Sequence, residues 1–126
     1  MSRRNRALIA YSVTAILYAA LLTFSAVGKL RLDPAQVLLI HERVGVPLSI
    51  FPLLAACELA GAIGLVAGIR WQRLGLAAAM GLVIYFIGAM LSHVRVGDFA
   101  GLGSPAFMLA IAVAALATRL KAQARE

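Results

Sequence analysis

Charge is the first scarcity in this sequence. Only 13% of the 126 residues are Asp, Glu, Lys or Arg, where a soluble domain carries about 25%. The hydrophobic share is 63%, against about 45–50% in an ordinary domain. Too little polar surface exists to face water, which excludes a water-soluble globule and a disordered chain. The implied solvent is a bilayer. Cysteine is the second scarcity: Cys57 stands alone, so the chain has no internal disulfide, no CxxC redox pair and no cysteine metal site. Acid is the third, with 5 Asp+Glu against 12 Lys+Arg and a net charge of +7. In a soluble protein such a balance would suggest nucleic acid. Here the basic residues sit at the ends of apolar runs, which fits headgroup anchoring and topology control instead, and no nucleic-acid partner is expected. The two histidines share no HxxxH or HxxE spacing, so no metal is expected. No nucleophile–base pair or cofactor motif marks an autonomous enzyme, and no catalytic residue is assigned.

What the chain does have is long apolar runs. They predict spans at about 7–29, 47–69, 74–95 and 105–120, each near the roughly 20 residues that cross about 30 Å of hydrocarbon. Arg3, Arg4 and Arg6 before the first run resemble the basic start of a signal peptide. That run is longer than a signal core of about 7–15 residues and meets no A-x-A site, so it reads as a retained span. The expected fold is an all-α integral membrane protein: an antiparallel four-helix bundle forming one domain over 1–126.

Lys and Arg set the orientation. Arg3, Arg4, Arg6, Arg70, Arg73, Arg119, Lys121 and Arg125 would share one side; Lys29, Arg31, Arg43 and Arg95 the other. Under the positive-inside rule both termini are expected in the cytoplasm, and the second side, where Asp33, Glu42 and Asp98 nearly balance the charge, faces outward. In the first outer loop, Asp33-Pro34 forms a helix start and Gly45 with Pro47 a stop, predicting a short interfacial helix between them. The third loop, with Gly97, Gly101 and Gly103, is expected to lack regular structure.

Glu58 is the most informative residue. It falls eleven positions after Pro47, about 16 Å along a helix and so near mid-bilayer. It shares a face with Leu54, Gly61, Leu65 and Gly68, small residues among them allowing close helix approach. A carboxyl there must pair or stay protonated. Two readings follow: a proton-handling or ligand-binding group, or a neutral acid bonding helix to helix. Inward stripes are expected from Tyr11, Thr14, Tyr18, Ser25 and Lys29 in the first span, and from Gly81, Tyr85, Gly88 and Ser92 in the third, with His93 beside them. Lys29, Arg31, His41, Glu42, His93, Arg95 and Asp98 would form a polar rim above Glu58. Arg95 and Asp98 are expected to form an ion pair or loop cap. The depth difference argues against direct contact between Lys29 and Glu58 unless the first span extends or tilts. The ligand-binding or proton-handling candidates are Glu58, Tyr85, Lys29, His93, Arg95, Asp98, Tyr18 and Ser92.

Four segments carry a family resemblance: Phe24-Ser25-Ala26-Val27-Gly28-Lys29-Leu30, Gly45-Val46-Pro47, Glu58-Leu59-Ala60-Gly61 and His93-Val94-Arg95-Val96-Gly97-Asp98. In order and spacing the chain resembles the DoxX-like family of small membrane proteins. The resemblance implies a four-helix bundle, usually in bacterial plasma membranes, and no single activity. The family is named through a subunit of a thiosulfate:quinone oxidoreductase, and other members accompany redox or stress systems. The first expectation is therefore a redox-associated module, by resemblance an oxidoreductase subunit, holding a quinone or lipid-like molecule near Glu58. A scaffold for a larger membrane complex and a proton-coupled small-molecule transporter are the alternatives. A homodimer is also open, because the glycines of the second span suit a dimer face as well as the bundle.

Overall fold

Ser2 starts the first helix: its Oγ accepts the Asn5 N–H at 3.1 Å, so α1 runs from Arg3 to Leu30 and opens earlier than the apolar run suggests. In the computed structural model, which describes residues 1–123, Arg125 lies outside the described part. After α1 come α2 (Pro34–Gln36), a π-helical turn Val37–Glu42, a 3-10 turn Leu48–Ile50, α3 (Phe51–Ala67), α4 (Gln72–Arg95), a second 3-10 turn Phe99–Leu102, and α5 (Gly103–Lys121). Four segments are long and apolar enough to cross a membrane: Arg3–Leu30, Leu48–Ala67, Gln72–Arg95 and Phe99–Lys121. The described residues contain no strand.

The spanning helices close a ring in the order α1, α3, α4, α5 and back to α1. Cross-contacts show that neighbours run antiparallel. Lys29 and Tyr11 of α1 meet Glu58 and Leu65 of α3; Gly61, Gly64 and Gly68 of α3 face Leu82, Ala78 and Gly75 of α4. The end where α1 begins and α5 finishes is called proximal below, and the end carrying α2 and the Phe99–Leu102 turn distal. The outside is apolar, with Phe24 80% and Ile63 71% exposed, as lipid-facing surface requires.

Two helix ends shape the distal side. At the end of α1, Leu32 takes φ 52° while Asp33 N–H reaches Gly28 O and Leu32 N–H reaches Lys29 O. At the end of α4, Gly97 takes φ 73° while Asp98 N–H reaches His93 O and Gly97 N–H reaches Val94 O. Both are Schellman ends, which need one left-handed residue. The short interfacial helix is present as Pro34–Gln36 plus the π turn. Asp33 precedes it without a side-chain capping bond. Gly45, at φ 87°, turns the chain back, and His41 Nδ1–H donates to Val46 O at 2.8 Å.

Two expectations change. The third loop is not irregular, because Asp98 Oδ1 accepts the Gly101 N–H at 3.2 Å and winds a 3-10 turn into α5. The stripe expected in the third span turns inward only in part: Tyr85 and Ser92 are half-buried, with His93 buried beside them. Gly81 and Gly88 are exposed, and α4 buries Gly75, Ala79, Leu82, Phe86 and His93 instead. Small residues alone do not pick the inner face when the lipid outside is as apolar as the core; the larger Leu82 and Phe86 fill the centre. On α1 the stripe holds: Tyr11, Tyr18 and Lys29 are buried, Thr14 and Ser25 half-buried.

Candidate functional site: a buried ion pair beneath a distal cavity

Glu58 is fully buried, and Lys29 Nζ lies 2.6 Å from its Oε1. The expected separation is overturned. Glu58 sits seven residues into α3, which begins at Phe51 after the 3-10 turn, so it is only about 10 Å below that helix start. Side chains lean toward the N-terminus of their own helix. Lys29 therefore leans down from the distal end of α1, while Glu58, on a helix running the other way, leans up to meet it.

The rest of the cluster follows from this pair. Lys29 Nζ also donates to Ser25 Oγ at 2.8 Å, one helical turn earlier. An ammonium has three N–H donors, so one is left over. Tyr85 OH faces Glu58 Oε1 at 3.5 Å, a long contact. Glu58 Oε2 is sealed from solvent and has no partner. The Tyr18 hydroxyl is committed elsewhere, donating to Met108 O on α5 at 2.8 Å. It is a structural link, and Glu58 is not a lone acid but half of a neutralised pair.

Above the pair lies a cavity of about 630 Å³, lined by Lys29, Tyr85, Ser92 and His93 among apolar side chains such as Phe24, Leu39, Phe86 and Met108. That size suits an organic ligand, since small-molecule sites run from about 300 to 1,000 Å³ with a few convergent polar groups. Residues of α2 and its π turn, including Gln36 and Ile40, line its distal side. Glu58 does not line it; Lys29 and Tyr85 stand between. Ser92 bonds back to Gly88 O at 2.9 Å.

His93 is buried at the cavity wall, and its Nδ1 lies 2.9 Å from Asp98 Oδ2. The Schellman end explains the pairing: His93 and Asp98 are the two residues its longer bond brings together, a contact that is usually apolar. The His93 hydrogen bond, with that from Gly101 N–H, holds the Asp98 carboxyl below its ordinary pKa. Arg95 forms no ion pair with Asp98; it is exposed, and the charged contacts among the described residues are the Lys29–Glu58 ion pair and the His93–Asp98 hydrogen bond. The loop-cap half of that expectation holds, through Asp98 alone. His41 turns to its own loop, and Arg31 faces outward. No group of three or more His, Cys, Asp or Glu among the described residues could hold a metal.

A second polar centre escapes a sequence reading. At the proximal end Arg119 is 5% exposed, its guanidinium 5.4 Å from the Tyr11 ring centroid. Tyr11 OH donates to Leu65 O at 2.6 Å. Arg119 at a helix end reads as a snorkelling anchor; the available signal was Tyr11, an aromatic ring at matching depth on the antiparallel neighbour.

A small multi-pass membrane protein, four helices around a buried Lys–Glu pair with a ligand-sized cavity above it, is the class these features define. The chain belongs to the DoxX-like family, whose sequence model matches residues 13–115. Those bounds include the cavity floor and the His93–Asp98 turn. No curated protein and no solved structure matches the chain.

Proposed function

We propose that this protein is a redox-associated module that holds a quinone or another lipid-like molecule in the distal cavity. The observation that carries the reading is the cavity itself: apolar walls converging on one free Lys29 N–H, beside Tyr85 and His93. Lys29, rather than Glu58, meets the head of the molecule; Glu58 holds the ammonium in place and cancels its charge. A neutral head with an acceptor oxygen suits that floor better than a cation. The same neutralisation counts against a cation exporter, which needs an unpaired carboxylate. Family membership supports a bacterial plasma membrane location, and the distribution of Lys and Arg supports the proximal end facing the cytoplasm. A cysteine replacing Ala100 should then react with an impermeant thiol reagent from outside intact cells; labelling only after lysis would reverse the orientation.

Native mass spectrometry of gently extracted protein tests the binding reading. Gly88 lines the cavity, and a Cβ there meets nothing within 4 Å, so Gly88→Leu occupies the space without a clash at Cβ. The wild-type protein should carry a discrete small-molecule mass that Gly88→Leu loses. Identical spectra from the two proteins would sink the reading.

A further inference from the structure

The cavity wall has a hydrogen-bond polarity that its floor does not. Asp98 spends both oxygens: Oδ1 accepts from Gly101 N–H at 3.2 Å and Oδ2 faces His93 Nδ1 at 2.9 Å. An ionised carboxylate only accepts, so Nδ1 must carry the proton. In the neutral ring Nε2 then holds a lone pair. Gly101 covers that same Nδ1–Cε1 edge of the imidazole, since a Cβ there would lie 2.7 Å from Nδ1 and 2.8 Å from Cε1. Nε2 bonds no described protein group, and it is not among the sealed unpartnered atoms, which are Glu58 Oε2 and Arg119 Nε. His93 lines the cavity, so this acceptor is open to what the cavity holds. Lys29, on the same cavity, offers the opposite polarity.

Building on the cavity reading above, we infer that the bound molecule is an amphiphile whose head donates a hydroxyl proton to His93 Nε2 and accepts the free Lys29 N–H through a second oxygen. Phenols and hydroquinones with an apolar tail have that pattern; a fully etherified head does not. Asp98 is a positioning residue, acting through the tautomer it imposes. In Asp98→Asn the amide oxygen must stay on Gly101 N–H, which turns the NH2 toward His93. Nδ1 then accepts, the proton moves to Nε2, and the wall becomes a donor.

The test uses the full chain in detergent at about pH 8, where an imidazole is ordinarily neutral, with a 4-alkoxyphenol and its methyl ether as probes in calorimetric titrations. The wild-type protein should bind the phenol about tenfold more tightly than the ether, one hydrogen bond's worth. In Asp98→Asn that preference should vanish or invert, with the ether gaining affinity, which a merely structural role for Asp98 would not produce. His93→Phe, similar in bulk, should bring the ratio to about one and decides the matter if Asp98→Asn does not fold. Binding of neither probe to the wild-type protein would overturn the cavity reading itself. Binding of both with the same ratio in all three proteins would overturn only the donor–acceptor inference.

Discussion

The two halves of the bundle use the same four helices and are held together by different means. Proximally, glycine lets backbones touch. A Cβ on Gly68 would collide with the Gly75 backbone and the Tyr11 hydroxyl, and one on Gly64 would lie 2.7 Å from Ala78 Cβ. With no space left, Tyr11 and Arg119 fill the end as a stacked pair. Distally, Phe86, Tyr85 and the Lys29–Glu58 ion pair stand between the helices, and a cavity remains. Glycines occur there too, but Gly81 and Gly88 point to open space. Glycine therefore closes a membrane bundle only where a partner helix presents a residue to it at the same depth: Leu82 to Gly61, Ala78 to Gly64 and Gly75 to Gly68. In this protein the close backbone packing lies at one end and the ligand-sized space at the other.

The largest effect should come from splitting the distal pair. Lys29→Met leaves a buried, uncompensated Glu58 and is expected to cost about 3–5 kcal/mol, whereas Lys29→Met with Glu58→Met should recover most of that loss. SDS-titrated unfolding in mixed micelles measures both, and equal losses in the single and double variants would show that the pair is not coupled. Next comes the proximal contact. Gly68→Ala forces the α3–α4 backbones apart at an expected cost of about 1–3 kcal/mol, while Gly88→Ala should change stability little and shows that the penalty belongs to depth and partner.

A smaller loss follows from Tyr11→Phe. Leu65 is in the last turn of α3, where carbonyls lack helical partners, and Ile69 N–H bonds Val66 O instead. Removing the hydroxyl should cost about 1–2 kcal/mol, with faster hydrogen exchange confined to the proximal end. The least effect is pH-dependent. Asp98 has a depressed folded-state pKa, caused first by the His93 hydrogen bond. Its contribution is present above the ordinary carboxylate value of about 3.9 and is lost as pH falls through the lower folded value. Protection of the Gly101 amide should hold at neutral pH and fall only in acid, as pH drops through that lowered value, and Asp98→Asn should lack that fall.

Composition and hydropathy made the spans legible, because solvent sets them. Glu58 was legible because a carboxyl inside an apolar span must pair or stay protonated. Its partner was hidden, since spacing gives the Cα depth of Lys29 but not the lean of its side chain into the bundle. On α4 the inward stripe was legible at Tyr85 and Ser92 but not at Gly81: small residues mark a surface that permits contact without requiring it. The His93–Asp98 dyad was within reach, had Gly97 been taken as a left-handed helix end that brings those two residues together. Arg119 was not, because burial of a helix-end arginine depends on the ring beneath it.

Photolabelling with a 4-alkoxyphenol bearing a diazirine on its ring tests the division between the halves most directly. In nanodiscs, label should fall on the distal wall around Tyr85, Ser92 and His93, and Gly88→Leu should abolish it. Label spread around Gly68 and Gly75, or a distal pattern untouched by Gly88→Leu, would contradict a closed proximal half beneath a ligand-holding distal one.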